Sequence, residues 1–442
     1  MVQKTKQSIR LIIFFICIIA LAIVLISCGE SKEEQNDDFE FSLSTLEQTY
    51  MLTKYKGDSD KVVIPEYFNG LRVTSIQKRA FENKSLSSIV IPESIEIIGD
   101  EAFKNCKNII SIEFPNSLKE VGKGMLSGCN KIKSIKIPFS GKLASIQKAN
   151  TRTLFGYIFG TEKYDDSYLC EQFFIEGEVT AFYIPNSLEE ITITGSESIL
   201  EGSFSNIKTL KKISLSSQIN AIKSFAFINC YNLEKVLIDN SQITQIDSKA
   251  FYNDEKLTNF PELNNLTKIG EYSFFNTGIE SFSVTKKLKQ IDSYAFANCS
   301  KLKNINGENE QATFKDGIFL NCVNLENIFI PSLITAIPKS TFSGCEKIKT
   351  IDLSNTYIMT INIEAFSNCT NLEEIRMPSS LISIRKNAFS GCEKLTKASF
   401  STMTTQFVVS LESQEYLVTT SNEESNAKNL TINYVEYNWQ TT

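Results

Sequence analysis

From Ile76 to Phe389 the apolar and polar positions follow one recurring phrase. Its most regular member is a large apolar anchor at Phe81, Phe103, Leu126, Phe204, Phe227, Phe251, Phe274, Phe296, Phe319, Phe342, Phe366 and Phe389. Successive spacings are 22 and 23, then a gap of 78, then 23, 24, 23, 22, 23, 23, 24 and 23. Five residues before every anchor stands an apolar side chain, as at Ile76, Ile98, Val121 and Ile384, and alanine immediately precedes most anchors. Five or six residues after the anchor comes Leu or Ile, then another apolar residue three further on, then a step of two to a residue often followed by proline, as in Leu86, Ile89, Ile91 and Pro92. The stretch Leu-x-x-Ile-x-Ile-Pro has the two-residue period of a short strand, closed by a proline that cannot extend a ladder. The stretch from the earlier Ile through Ala-Phe has helical spacing and predicts one or two turns of helix across the coil. The expectation is an α/β solenoid of coils of 22–24 residues, with a parallel sheet on one face and short helices on the other.

Two further positions sharpen each coil. Two residues after the anchor, only Asn or Gly occurs, from Asn83 to Gly391, and these residue types accept the left-handed backbone found just past a helix end. Three residues after the anchor stand Cys106, Cys129, Cys230, Cys299, Cys322, Cys345, Cys369 and Cys392, eight of the eleven cysteines in the chain. Lys84, Ile207, Asp254 and Thr277 hold the same place elsewhere, so no pairing scheme is obligatory. Three readings compete. A column of buried free thiols acting as small hydrophobes is favoured. Disulfides would need Cβ vectors that converge, whereas stacked coils run them parallel. A metal site would need a ligand spacing that a period of about 23 does not offer.

The N-terminus reads as an address. Lys4, Lys6 and Arg10 precede an uncharged apolar stretch from Leu11 to Ile26, followed by Ser27-Cys28-Gly29. Leu25-Ile26-Ser27-Cys28 resembles the bacterial lipobox, which implies a signal peptide over 1–27 and thioether diacylglycerol attachment at Cys28. The competing reading is an uncleaved N-terminal membrane helix. Residues 28–40 then form an acidic tether from the lipidated cysteine, with six acids and one lysine after Cys28.

Composition narrows the chemistry. The chain of 442 residues contains no histidine, so it has no Ser-His or Cys-His nucleophile pair and no His-ligated metal. Its net charge of −6 offers no basic excess for nucleic acid. No phosphate-binding glycine loop, nucleophile elbow or distinct carboxylate pair stands out, and Asp165 and Asp166 read as solvent-facing acids in a polar loop. The expectation is a protein that is not an enzyme and needs no cofactor.

The repeats occupy 76–138 and 187–400. Residues 139–186 break the register, and the gap of 78 reads as degenerate coils carrying a loop insertion. Within it, Phe155-Gly156-Tyr157-Ile158-Phe159-Gly160 reads as a packing plug, with a ligand site as the competing reading, and Phe182-Tyr183-Ile184-Pro185 reads as the return of the repeat phrase. Residues 41–75 are expected to cap the first coil and 401–442 to form a β-type cap on the last, because open solenoid ends expose core and strand edges.

The phrase Ile-Pro, Ile-x-x-x-Ala-Phe-x-Asn-Cys, Leu-x-x-Ile resembles the BspA-like, Treponema-type leucine-rich repeat over residues 62–400. The resemblance implies a right-handed leucine-rich-repeat superhelix displayed on a bacterial surface, adhering to host matrix, host-cell or bacterial protein partners. The candidate binding face is the outward row between the buried strand positions: Val90, Glu113, Lys136, Ser214, Leu237, Ser283, Phe329, Asp352 and Arg376, with Leu237 and Phe329 as apolar anchors. The competing reading of that row is solvated strand surface. Other roles weighed are a structural envelope or self-assembling protein, and capture of soluble peptides or glycans for uptake.

Overall fold

In the computed structural model, the structure describes residues 37–44, 46–238, 242–395, 397–400, 406–411, 414–419, 430–433 and 436–439. The signal peptide, Cys28 and most of the tether lie outside the described residues. The chain winds into a β-solenoid of about 14 turns with parallel sheets. Two sides of the solenoid carry strands. One side holds the expected x-Ile-x-Ile strands, such as Ser111–Glu113, Ser134–Ile137, Glu190–Ile193, Lys212–Leu215 and Lys235–Ile238, joined in one five-stranded parallel sheet. The second side holds two-residue strands at the place five residues before the anchor, such as Ile97–Ile98, Glu120–Val121, Ser198–Ile199 and Ala221–Ile222.

The third side is where helices were expected, and it has none. Among the described residues the one helical element is a short 3-10 turn over Phe155–Ile158. Instead, the Ala-Phe-x-Asn stretch is a run of overlapping β-turns. In the second full coil, Ala102 N–H donates to Gly99 O at 3.3 Å and Cys106 N–H to Phe103 O at 3.1 Å, and the third residue of each turn, Glu101 and Asn105, has a φ of 54° and 60°. A positive φ at that place is the type II signature. Lys104 N–H closes the turn between them on Glu101 O at 2.9 Å, while the N–H groups of Glu101, Phe103 and Asn105 leave the coil and donate to Lys123, Met125 and Ser127 in the next coil at 3.2, 2.9 and 2.8 Å. A helix needs every such N–H for its own carbonyl four residues back. Here alternate N–H groups stitch neighbouring coils together, so the helical spacing of side chains comes from overlapping turns.

The core runs through the coil centres. The rings of Phe204, Phe227, Phe251, Phe274 and Phe296 stack with centroids 5.2–5.3 Å apart and planes within 9° of parallel. All twelve anchors are fully buried. All twelve Asn and Gly residues two places later have positive φ. Their amides form a ladder, with Asn229 donating to Asn206, Asn253 to Asn229 and Asn276 to Asn253 at 2.9–3.1 Å.

The interruption at 139–186 is a single enlarged coil, not several degenerate ones. Ser134–Ile137 pairs directly with Glu190–Ile193, so the first sheet passes the insertion unbroken. Phe182-Tyr183-Ile184-Pro185 does not return to the repeat: it belongs to the strand Glu178–Pro185, which pairs antiparallel with Ser167–Ile175. That hairpin lies along the coil of Phe204, where the buried Gln172 amide donates to Ser203 O and Ser205 O at 3.3 and 3.0 Å and its oxygen accepts from Gly156 N–H at 2.7 Å. Phe155 stacks toward Phe204 at 5.2 Å, and Phe155, Gly156, Ile158 and Phe159 are buried, so this aromatic element fills the core. At the N-terminal end Phe39–Ser44 pairs antiparallel with Thr49–Tyr55, which itself joins the second side of the solenoid. At the other end Gln406–Leu411 pairs parallel with Ser383–Ile384 and antiparallel with Gln414–Thr419.

Candidate binding surface

The strand register fixes the candidate row. Ile112, Ile135, Ile191, Ile213 and Val236 align across the five-stranded sheet and are buried. One residue further along each strand, Glu113, Lys136, Thr192, Ser214 and Leu237 align outward, because successive side chains alternate faces. Glu113 and Lys136 form an ion pair within this row. Leu237 closes it with 47% of its surface exposed. Thr192 was missed from the sequence because the 78-residue gap hid its coil; the signal was the step of two in Ile191-Thr192-Ile193.

The remaining candidates fall outside this sheet, Phe329 in a coil that makes only the isolated bridge Asn304↔Asn327 and the others on other sheets. Between Lys235–Ile238 and Ser281–Val284 the intervening coil makes only the isolated bridge Lys235↔Asn259, so the row is segmented. Val90 aligns with Val63 near the N-terminal end, where they are 53% and 65% exposed. Ser283 aligns with Asn306. Asp352 and Arg376 pair at 3.3 Å on Thr350–Asp352 and Glu374–Met377. The Ser354 hydroxyl, its N–H and the Arg376 guanidinium hold the Asp352 carboxyl below its ordinary value. Phe329 is not a free-standing anchor: it is partly buried, and its ring lies so close over Gly307 that a Cβ there would be 2.0 Å from it. The missing Gly307 side chain leaves a hollow that the ring fills. Asp165 and Asp166 are exposed, Asp165 3.9 Å from Lys107 and Asp166 accepting from Asn130 at 3.4 Å.

The cysteine column lies in the interior. Each of the eight thiols donates to the anchor carbonyl of the preceding coil, for example Cys106 to Phe81, Cys230 to Phe204 and Cys322 to Phe296 at 3.1, 3.2 and 3.1 Å. They are therefore hydrogen-bond donors as well as small hydrophobes. All eight are buried and free, as is Cys170 in the hairpin. Burial pushes the Cys106 thiol up to about 12 and Cys299 up to about 11. Among the described residues no group of three or more His, Cys, Asp or Glu side chains gathers as a metal site.

The family model for BspA type leucine-rich repeat regions matches residues 73–151, 178–303 and 267–396. The chain belongs to the BspA-type leucine-rich-repeat family. Proteins of this family are typically bacterial surface proteins. Among solved structures, a leucine rich cell surface protein from Faecalibacterium prausnitzii A2-165 is 22% identical over 85% of this chain and 97% of its own, with a TM-score of 0.34. A leucine-rich repeat protein from Bacteroides ovatus ATCC 8483 is 20% identical over 83% and 94%, with a TM-score of 0.43. A T. pallidum leucine-rich repeat protein is 18% identical over 66% and 91%, with a TM-score of 0.25. No curated protein matches the chain. Among the described residues of this BspA-type repeat no helix is long and apolar enough to cross a membrane.

Proposed function

We propose that this BspA-type protein is a non-enzymatic adhesin, exported, lipid-anchored through Cys28 to the bacterial envelope and displayed at the cell surface to bind a protein partner. The observation that carries the reading is the register-locked outward row Glu113, Lys136, Thr192, Ser214 and Leu237. Its backbone is rigid because every strand is paired on both sides or by its neighbour coil, so the side chains are presented at the fixed strand spacing of about 4.8 Å. A charged pair at one end of the row and an exposed leucine at the other, with Thr192 and Ser214 between them, give the combination of polar contacts and apolar anchor that protein partners use.

The test is capture of purified host matrix proteins and neighbouring bacterial cells by the wild-type protein and by Leu237→Asp. Specific capture that Leu237→Asp weakens tenfold or more supports the proposal. Capture unchanged by Leu237→Asp moves the contact elsewhere on the molecule. Antibody labelling of intact cells, with Cys28→Ala as control, tests display; signal confined to lysed cells refutes it.

A further inference from the structure

The second strand-bearing side is interrupted at the enlarged coil, and the interruption leaves a cleft. Glu120–Val121 ends one sheet, followed only by the isolated antiparallel bridge Glu120↔Leu143, while Ser198–Ile199 is the edge strand of the next. Between them opens a cavity of about 320 Å³, walled by Phe139, Leu143 and Ile146 from the insertion and by Glu197, Leu200 and Lys223 from the solenoid.

The edge strand has lost its hydrogen-bond partners. In most coils the N–H groups seven and four residues before the anchor donate to carbonyls two residues apart in the coil below. Lys119 and Gly122 donate to Glu96 and Ile98 at 2.8 and 2.7 Å, and Asn220 and Lys223 donate to Glu197 and Ile199 at 2.8 and 2.9 Å. In the coil that faces the cleft those donors are Glu197 and Leu200. Neither N–H has an acceptor among the described residues, although Leu200 is buried. Backbone donors at a sheet edge inside a cleft are a template for an added strand.

We propose that this cleft binds an extended peptide that completes the missing strand. The intact coils define its chemistry. The peptide runs parallel to Ser198–Ile199 and offers two carbonyls two residues apart to the N–H groups of Glu197 and Leu200. The residue carrying the second carbonyl takes the inward place that Ile98 and Ile222 hold in their coils, so its side chain is aliphatic and rests on Phe139, Leu143 and Leu200. The residue between the two carbonyls faces solvent and is unrestricted. A volume at the small end of ligand pockets suits a segment of about three residues. The site lies on a different side of the coil from the Glu113–Leu237 row and stands whether or not that row binds a partner.

The probe is an acetylated, fluorescein-labelled peptide Leu-Thr-Lys-Ile-Gly-Glu. It copies residues 266–271, whose Thr267 and Ile269 carbonyls accept in this way from Lys289 and Asp292 at 2.9 Å each. Fluorescence anisotropy with the whole protein is expected to rise to saturation. Leu200→Pro removes one donor and is expected to raise Kd tenfold or more; the fold accepts proline there, because Pro338 holds the equivalent place before Phe342. Ala144→Trp, at an exposed residue lining the cleft, is expected to fill it with the same loss. Replacing the probe isoleucine by lysine is expected to weaken binding without touching the protein. Absence of saturable binding up to about 1 mM probe overturns the proposal. So does binding that Ala144→Trp and the lysine probe leave unchanged.

Discussion

Asp254 holds the place that cysteine takes in eight other coils, and replacing it should stabilise the protein. It is fully buried behind Phe251. One carboxyl oxygen accepts from Cys230 N–H at 2.8 Å, and the other has no partner. Burial raises the carboxyl well above its ordinary value, against the smaller opposing effect of the Cys230 hydrogen bond. The unfolded chain releases this proton near pH 3.9, whereas the folded chain keeps it to higher pH. Above that pH the native state binds more protons than the unfolded state, so stability falls as pH rises, by about 1.4 kcal/mol per unit while the difference lasts. Asp254→Cys removes the titration and the orphaned oxygen, and places a thiol where its neighbours donate to the preceding anchor carbonyl. Little is lost in exchange, because Cys230 N–H also donates to Phe227 O at 3.1 Å. Relief of one unsatisfied buried polar atom is worth about 1–3 kcal/mol before the pH-dependent part is added. The assay is urea denaturation of wild type, Asp254→Cys and Asp254→Asn at pH 5 and pH 8. The advantage of Asp254→Cys should widen from pH 5 to pH 8, and Asp254→Asn should lose the pH dependence of this site. An advantage that is constant or reversed across that range would refute the reasoning.

Two other perturbations bear on the scaffold. Asn253 has a φ of 63° and links Asn229 and Asn276 through its amide; Asn253→Ala should cost about 1–3 kcal/mol in thermal or urea unfolding, and Asn253→Gly should recover the backbone part of that loss. The buried thiols should resist a water-soluble thiol reagent at pH 8 until denaturant is added, since Cys106 is pushed up to about 12 and Cys299 to about 11; prompt modification of the native protein would contradict the buried column.

The limits of the sequence reading are physical. The period, the inward strand positions and the Asn or Gly row were legible because each depends on side-chain type: apolar for burial, and Asn or Gly for a left-handed backbone. The helix assignment failed although its side-chain spacing was correct. An inward residue followed four and five places later by Ala and Phe fits a helix, and it fits a short strand followed by a run of overlapping β-turns equally well. The deciding fact is where the N–H groups go, and that depends on the neighbouring coil. The same cause hid the second row of left-handed residues, two places before each anchor. Besides Gly124, Gly202, Gly317 and Asn387 it includes Arg79, Glu101, Phe225, Lys249, Tyr272 and Glu364, these six with φ between 54° and 60°. None of these six residue types favours that conformation, and a non-glycine residue there costs on the order of 1 kcal/mol locally. The cross-coil hydrogen bonds of these residues, such as Arg79 to Asp100 and Phe225 to Ser248 at 3.1 Å each, over-determine the conformation and hold it. The cleft was illegible for a related reason. No residue type announces a missing strand, and only comparison with paired coils shows that Glu197 and Leu200 lack the acceptors that Asn220 and Lys223 find one coil further on. In a repeat array the informative site is thus the place where the pattern fails while its hydrogen-bond requirement persists.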